Sequence, residues 1–289
     1  MAAEYVLTQF RADRRLSAPA PRPWHLADID FDALDTAKVA HDRMLFQIVA
    51  LASFIETGSD VYANNLITYF DDDAEVAHWL DASWKPEELQ HGRALRAYVE
   101  RAWPSFDWDT SFAAFFADYS RTCTVPELEP ARALELAARC VVEMGTSTLY
   151  RALTRYATEP VLKDLAARIY VDEVRHYKHF YRYFRKYQRR ERHGRWRIAR
   201  TMLKRLGETR TGDGYCAYRH IWRAARDNTQ APLAESYATF RAEMARLARR
   251  CAAPEQPIEM LLRPLELPPA AVRGAKRFGG ALYRWWLGS

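Results

Sequence analysis

The sequence predicts an all-α protein, a four-helix bundle with extra helices, and three observations carry that expectation. Ala, Leu, Arg and Glu abound, while 289 residues hold only 11 Gly and 14 Pro, a mix that favours helices over sheets. Apolar residues recur at three- and four-residue steps, as at Leu45, Ile48, Leu51, Ala52 and Ile55, and no stretch alternates with the period of a strand. Acidic residues also repeat: Glu56 precedes Glu88 by 32 residues and Glu143 precedes Glu173 by 30. A helix–turn–helix unit therefore occurs twice, with the same chemistry at the same place.

The elements follow in order. Residues 1–34 read as an N-terminal leader with Pro19, Pro21 and Pro23. A long helix is expected from about Asp35 to Tyr69, stopped by Asp71, Asp72 and Asp73, which can cap the next one. A second helical stretch runs from about Ala74 to Trp103, where Pro86 should kink or restart it, with Ser83 as a cap. A connecting helix covers Thr110 to Tyr119, and Pro126 and Pro130 mark a loop. The third long helix spans about Ala131 to Ala157, and Pro160 opens a fourth that reaches Tyr187 or beyond. Residues 35–192 form the bundle. Residues 193–289 form a C-terminal helical extension with a Pro-rich tail, Pro254 to Pro269.

Composition narrows the class. With 49% hydrophobic residues the chain is not of disordered composition and can bury a large core. Cys123, Cys140, Cys216 and Cys251 form no CxxC pair, which excludes a small disulfide scaffold and fits a reducing, cytoplasmic setting. Met1 to Arg15 is charged throughout and lacks the apolar segment of a signal peptide. No run of about 18 apolar residues predicts a membrane span. Net charge is +6, yet Arg182 to Arg210 holds twelve Lys/Arg against Glu191 and Glu208, so the rest of the chain is net acidic. Such a local patch is either a solvated helix face or a dock for an acidic partner.

Two Glu-x-x-His motifs sit on the second helix of each half: Glu88-Leu89-Gln90-His91 and Glu173-Val174-Arg175-His176. Residues three apart share a helix face, so one carboxylate and one imidazole can reach the same metal ion. Each half adds one Glu, Glu56 or Glu143, about 30 residues upstream in an apolar context. A carboxylate there needs a strong partner, because an unpaired buried charge is very costly. A metal is one such partner; for either Glu alone, a buried salt bridge is the other. Mixed carboxylate and imidazole ligation suits iron or manganese, whereas thiolates would suggest zinc. A third copy, Glu75-Val76-Ala77-His78, has Arg43 rather than an acid 32 residues upstream and reads as surface. Glu87 and Asp172, each four residues before a motif His, are candidate acceptors for the second imidazole nitrogen.

At these residues the chain resembles the ferritin-like di-iron proteins, and among them the soluble acyl-[acyl carrier protein] desaturases. Trp84-Lys85-Pro86-Glu87-Glu88-Leu89-Gln90-His91-Gly92 is similar to that family's W-x-x-E-E-N-R-H-G, and Asp172-Glu173-Val174-Arg175-His176-Tyr177 to its D-E-K-R-H-E. Glu56 to Tyr69 resembles the family's first ligand helix, and the likeness covers roughly residues 24 to 187. The resemblance implies two iron ions held by Glu56, Glu88, His91, Glu143, Glu173 and His176, with manganese as the alternative metal and O2 as co-substrate. It places Thr146 one turn after the third ligand Glu, near where O2 binds. It implies as partners an acyl carrier protein or other acidic carrier, an external electron donor such as a ferredoxin, and a second copy of the chain in a homodimer. The arylamine N-oxygenases carry an extra His where this chain has Ile169, and ribonucleotide reductase small subunits an Asp where it has Glu56.

The leading expectation is therefore an O2-activating di-iron oxidase that desaturates a carrier-bound acyl chain. Phe54, Tyr62, Leu95, Tyr150 and Phe180 are candidates to line an alkyl channel, or plain core. The rivals are a di-iron hydroxylase or oxidase on another substrate, an iron store without organic substrate, and nucleic-acid or membrane-surface binding through Arg195-Trp196-Arg197 and the Lys276–Trp286 tail.

Overall fold

The structure, a computed structural model, describes residues 23–208, 212–225, 231–251 and 254–274. Among the described residues there is no strand: the chain is all-α. The first long helix, α1, is Arg43–Tyr69, eight residues shorter at its start than expected. Asp42 caps it, accepting from the Leu45 amide at 2.9 Å, and the preceding Thr36–Lys38 is a 3₁₀ turn. A side-chain oxygen at that position satisfies an amide that the helix itself leaves free.

The second stretch is a composite. Asp73 caps α2 (Ala74–Trp79), as the acidic cluster predicts, a π-helical turn covers Leu80–Trp84, and α3 runs Lys85–Ala102. Ser83 caps nothing here. Pro86 lacks an amide hydrogen and its ring crowds the preceding turn. One widened turn absorbs that demand and keeps the chain helical into the first Glu-x-x-His motif.

Asp107 caps α4 (Trp108–Thr122), which is longer at both ends than expected. Then come α5 (Arg132–Tyr156) and α6 (Pro160–Glu191). The start of α6 is strongly specified. Buried Glu159 accepts from the amides of Val161 and Leu162 at 3.2 and 2.7 Å, and from the Tyr98 hydroxyl at 3.0 Å. Beyond it lie α7 (Arg195–Glu208), α8 (Asp213–Ala224), α9 (Leu233–Cys251) and α10 (Glu255–Leu262). The Pro-rich stretch is thus largely helical. Lys276–Trp286, Pro19, Pro21 and Arg210 lie outside the described residues.

Helix α1 packs along α3, and α5 along α6; the two pairs meet through α3 and α6. Two apolar clusters fill the interior. Along each of these four helices, counting Trp84 at the cap of α3, the change from one cluster to the other falls at or beside a predicted ligand: between Phe54 and Ala63, Trp84 and Ala94, Met144 and Tyr150, and Ile169 and Tyr177. A polar layer therefore crosses the protein between two apolar ones. Helices α7, α9 and α10 cover α5, α8 packs on α1 and α4, and α8 and α9 contribute Tyr218, Ile221, Phe240 and Leu247 to the first cluster.

Helix α1 is the one described helix long and apolar enough to cross a membrane, and 61% of that window is buried inside the protein. It carries Glu56 in its middle, so its apolar character is that of a core helix.

Candidate metal centre

All six predicted ligands meet in the polar layer, and none is more than 7% exposed. Glu56, Glu88, His91 and Glu173 form one group, and Glu88, Glu143, Glu173 and His176 a second, with ligand atoms within 4.8 Å of one another in each. Glu88 and Glu173 belong to both. The pattern is two adjoining subsites with shared carboxylates, each completed by one further Glu and one His. Glu75 and His78 lie at the surface, Glu75 pairing with Arg182 and Lys186.

Each imidazole is fixed from behind. His91 Nε2 lies 3.1 Å from Asp172 Oδ2, and His176 Nε2 lies 2.7 Å from Glu87 Oε2. Glu87 and Asp172 are the outer acids that the sequence suggests, but each serves the histidine of the opposite motif. The partnership spans α3 and α6 rather than one helix turn. Arg175 bridges the two acids, 2.9 Å from Glu87 and 2.8 Å from Asp172.

The Nδ1 atoms face inward. His91 Nδ1 stands 3.3 Å from Glu173 Oε1 and 3.7 Å from Glu56 Oε2; His176 Nδ1 stands 3.0 Å from Glu88 Oε1 and 3.7 Å from Glu143 Oε2. Both Nδ1 atoms, Glu88 Oε1 and Glu173 Oε1 are buried and complete no hydrogen bond. Buried polar atoms are nearly always satisfied, so these four atoms, one imidazole nitrogen in each group and the carboxylates common to both, fit divalent cations.

The electrostatics agree. Burial, reinforced by Glu56 and Glu143, pushes the Glu88 carboxyl up to about 7. Burial and Glu88 drive Glu173 well above the usual carboxylate range. Burial raises Glu143 too, but the Arg139 guanidinium, His176 and Glu173 together outweigh it and hold the carboxyl low. Burial disfavours charge on both imidazoles, yet the surrounding carboxylates, Asp172 first for His91 and Glu143 first for His176, hold both well above the ordinary histidine value. Without metal, this layer retains protons that divalent cations would displace.

Three partners escaped the sequence reading. Arg139, one turn before Glu143, donates from Nη2 to Glu143 Oε1 at 2.5 Å. Tyr150 donates to Glu56 Oε1 at 2.5 Å. Trp24, placed in the leader, is buried; its Nε1 donates to Asp172 Oδ2 at 2.7 Å and its ring stacks on His91. The four-residue step from Arg139 to Glu143 was visible in the sequence; the other two contacts join distant segments and left no local signal.

A cavity of about 1850 Å³ borders the centre. Glu56, Glu88, Glu143, Glu173 and Thr146 line it, whereas the two histidines stand behind its wall. Its apolar lining includes Ile48, Leu51, Ile55 and Leu149 from α1 and α5, roofed by Met244 and Leu261 of α9 and α10. Of the five proposed channel residues only Tyr62 borders it; Phe54, Leu95, Tyr150 and Phe180 are buried core. Thr146 donates to Glu173 Oε2 from the cavity side, with the carbonyls of Val142 and Glu143 also in reach.

Asp118, Cys216 and His220 form another compact group, on α4 and α8. There the Arg219 guanidinium already stands 2.6 Å from Asp118, and His220 Nε2 lies 3.0 Å from the same carboxylate oxygen, so a salt-bridge network accounts for it. All four cysteines are free. Comparison of the chain with known protein families, with curated proteins and with solved structures finds no match.

Proposed function

We propose that this protein is an O2-activating di-iron oxidase acting on an alkyl chain, with desaturation of a carrier-bound acyl chain as the leading reaction. The observation that carries the reading is the pair of anchored histidines whose free Nδ1 atoms face four buried carboxylates on the wall of an apolar cavity. Glu56, Glu88, His91, Glu143, Glu173 and His176 would hold the metal. When bound and reduced by an external donor such as a ferredoxin, a pair of iron ions supplies oxidation of an unactivated C–H bond by O2.

The chain's own residues do the rest. Asp172 and Glu87 keep the imidazoles oriented with Nδ1 inward. Ile48, Leu51, Ile55 and Leu149 exclude water and offer an apolar track beside the carboxylates. Thr146, on the cavity side of Glu173, can hold a proton at Oγ1 next to the site of oxidation. The cavity also separates this reading from an iron store, which has no use for a large apolar space at its metal site.

The carrier would dock on α7, where Trp196 is 89% and Leu203 67% exposed, beside exposed Arg192, Arg197 and Arg200. An aromatic anchor among cations suits an acidic partner with an apolar patch. Much of the remaining basic stretch is already paired: Arg182, Lys186, Lys204 and Arg205 each meet an acid. A cytoplasmic location suits the four free thiols.

The test is anaerobic reconstitution with ferrous ion, elemental analysis, exposure to O2, and product analysis with acyl-carrier substrates. About two irons per chain and a new unsaturated product support the reading, and a hydroxylated product moves it to the rival oxidation. Glu143→Ala or His176→Ala should remove one of the two ions and all oxidase activity; full metal content in either variant overturns the ligand set.

A further inference from the structure

Resting on the di-metal reading, the two subsites can be compared partner by partner. Their histidines are backed alike: each spends Nε2 on a carboxylate, and Arg175 bridges the two acids. Their shared ligands, Glu88 and Glu173, are common to both by definition. Trp24 adds a neutral N–H to Asp172 alone; the difference in charge lies in the terminal glutamates. Glu56 and Glu143 each spend one oxygen on an outside donor at 2.5 Å, but Glu56 meets the neutral hydroxyl of Tyr150 and Glu143 meets the guanidinium of Arg139.

Arg139 is a fixed cation. Its side chain is 9% exposed, and its guanidinium carbon sits 4.7, 4.9 and 5.2 Å from the ring centres of Tyr62, Trp84 and Phe180. Three aromatic faces hold the charge, which is largely withdrawn from solvent at the cavity wall. A buried cation in contact with a ligand carboxylate offsets that carboxylate and repels an incoming divalent ion, and the effect is strong where water is excluded.

We infer that Arg139 makes the two metal subsites unequal, so that a divalent cation fills the Glu56/His91 subsite first and the Glu143/His176 subsite second. Arg139 acts through Glu143 and is a positioning residue. The one-ion protein is then a populated species.

The experiment titrates the metal-free full chain with Mn2+ and counts unbound ion by its paramagnetic resonance signal. Two ions should bind in two phases whose dissociation constants differ by roughly tenfold or more. His91→Ala should leave one weakly bound ion, and His176→Ala one tightly bound ion. Arg139→Met, with its fold checked by circular dichroism, should strengthen the weak phase about tenfold and leave the tight one in place. If Arg139→Met does not fold, the two histidine variants decide the question. Two ions in a single phase, or the reverse assignment of the phases, overturns the inference while leaving the di-metal centre intact. Absence of any stoichiometric binding overturns the centre itself and the inference with it.

Discussion

His91 Nε2 faces Asp172 Oδ2 across 3.1 Å, and the acid belongs to the helix that carries the other histidine. The reciprocal pair, His176 with Glu87, closes the same crossing from the opposite side. Each imidazole is thereby set by the register between α3 and α6, which ties the geometry of the candidate centre to the packing of these two helices.

Loss of either acid should loosen one histidine. Asp172→Ala and Glu87→Ala should each weaken metal binding by roughly 10–100-fold, the usual cost of an outer partner. Competition with a chromophoric chelator measures it. Trp24→Phe keeps the ring against His91 but removes the N–H donated to Asp172, so its effect should be smaller than that of Asp172→Ala. Unchanged affinity in Asp172→Ala would show that the crossing is not what orients His91.

Gly92 is a contact point between α1 and α3. A Cβ there would lie 2.6 Å from Thr57 Oγ1, and 2.7 and 2.8 Å from the Thr57 backbone N and Cα. The backbone contacts cannot be relieved by shortening Thr57. Gly92→Ala should therefore destabilise the protein by about 1–3 kcal/mol. It should also lower metal affinity, because Glu56 and His91 are the chain neighbours of the two colliding residues. Urea denaturation of the metal-free and loaded protein checks both effects.

Gly145 is the opposite case. A Cβ at this position meets nothing within 4 Å, and the residue lines the cavity beside Thr146. Gly145→Ala should leave stability unchanged or raise it by about 0.5–1 kcal/mol through helix propensity. Gly145→Phe should keep its metal but lose activity on long-chain substrates before short ones. Equal loss at all chain lengths would place the substrate elsewhere.

The metal-free protein should lose stability as pH rises. Glu88 sits at about 7 and Glu173 is raised further, so from the ordinary carboxylate range upward the native state holds protons that the unfolded chain has released. His91 and His176, also raised, add to the same imbalance above the ordinary histidine value. With more protons bound in the native state, unfolding free energy falls with pH. Bound metal replaces those protons, so the gap in melting temperature between loaded and metal-free protein should widen from pH 5 to 8. Calorimetry at a series of pH values reads it, and a gap that narrows contradicts the proton-filled layer.

The sequence by itself determined the all-α class and the six-residue set that converges in the core. These rest on local rules: helical periodicity, the three-residue step of Glu-x-x-His, and a repeat spacing that returns the chain to the same polar layer. Asp73 as a cap and Pro160 at a helix start were legible for the same reason. The tertiary structure decided what depends on register and distance: the crossed partners of the histidines, Trp24 folding back 148 residues to reach Asp172, and the π turn that accommodates Pro86. It also decided that helices α7 to α10 roof the cavity, and that a neutral hydroxyl and a guanidinium distinguish Glu56 from Glu143. Sequence periodicity records which face of a helix is apolar; only packing sets what that face meets.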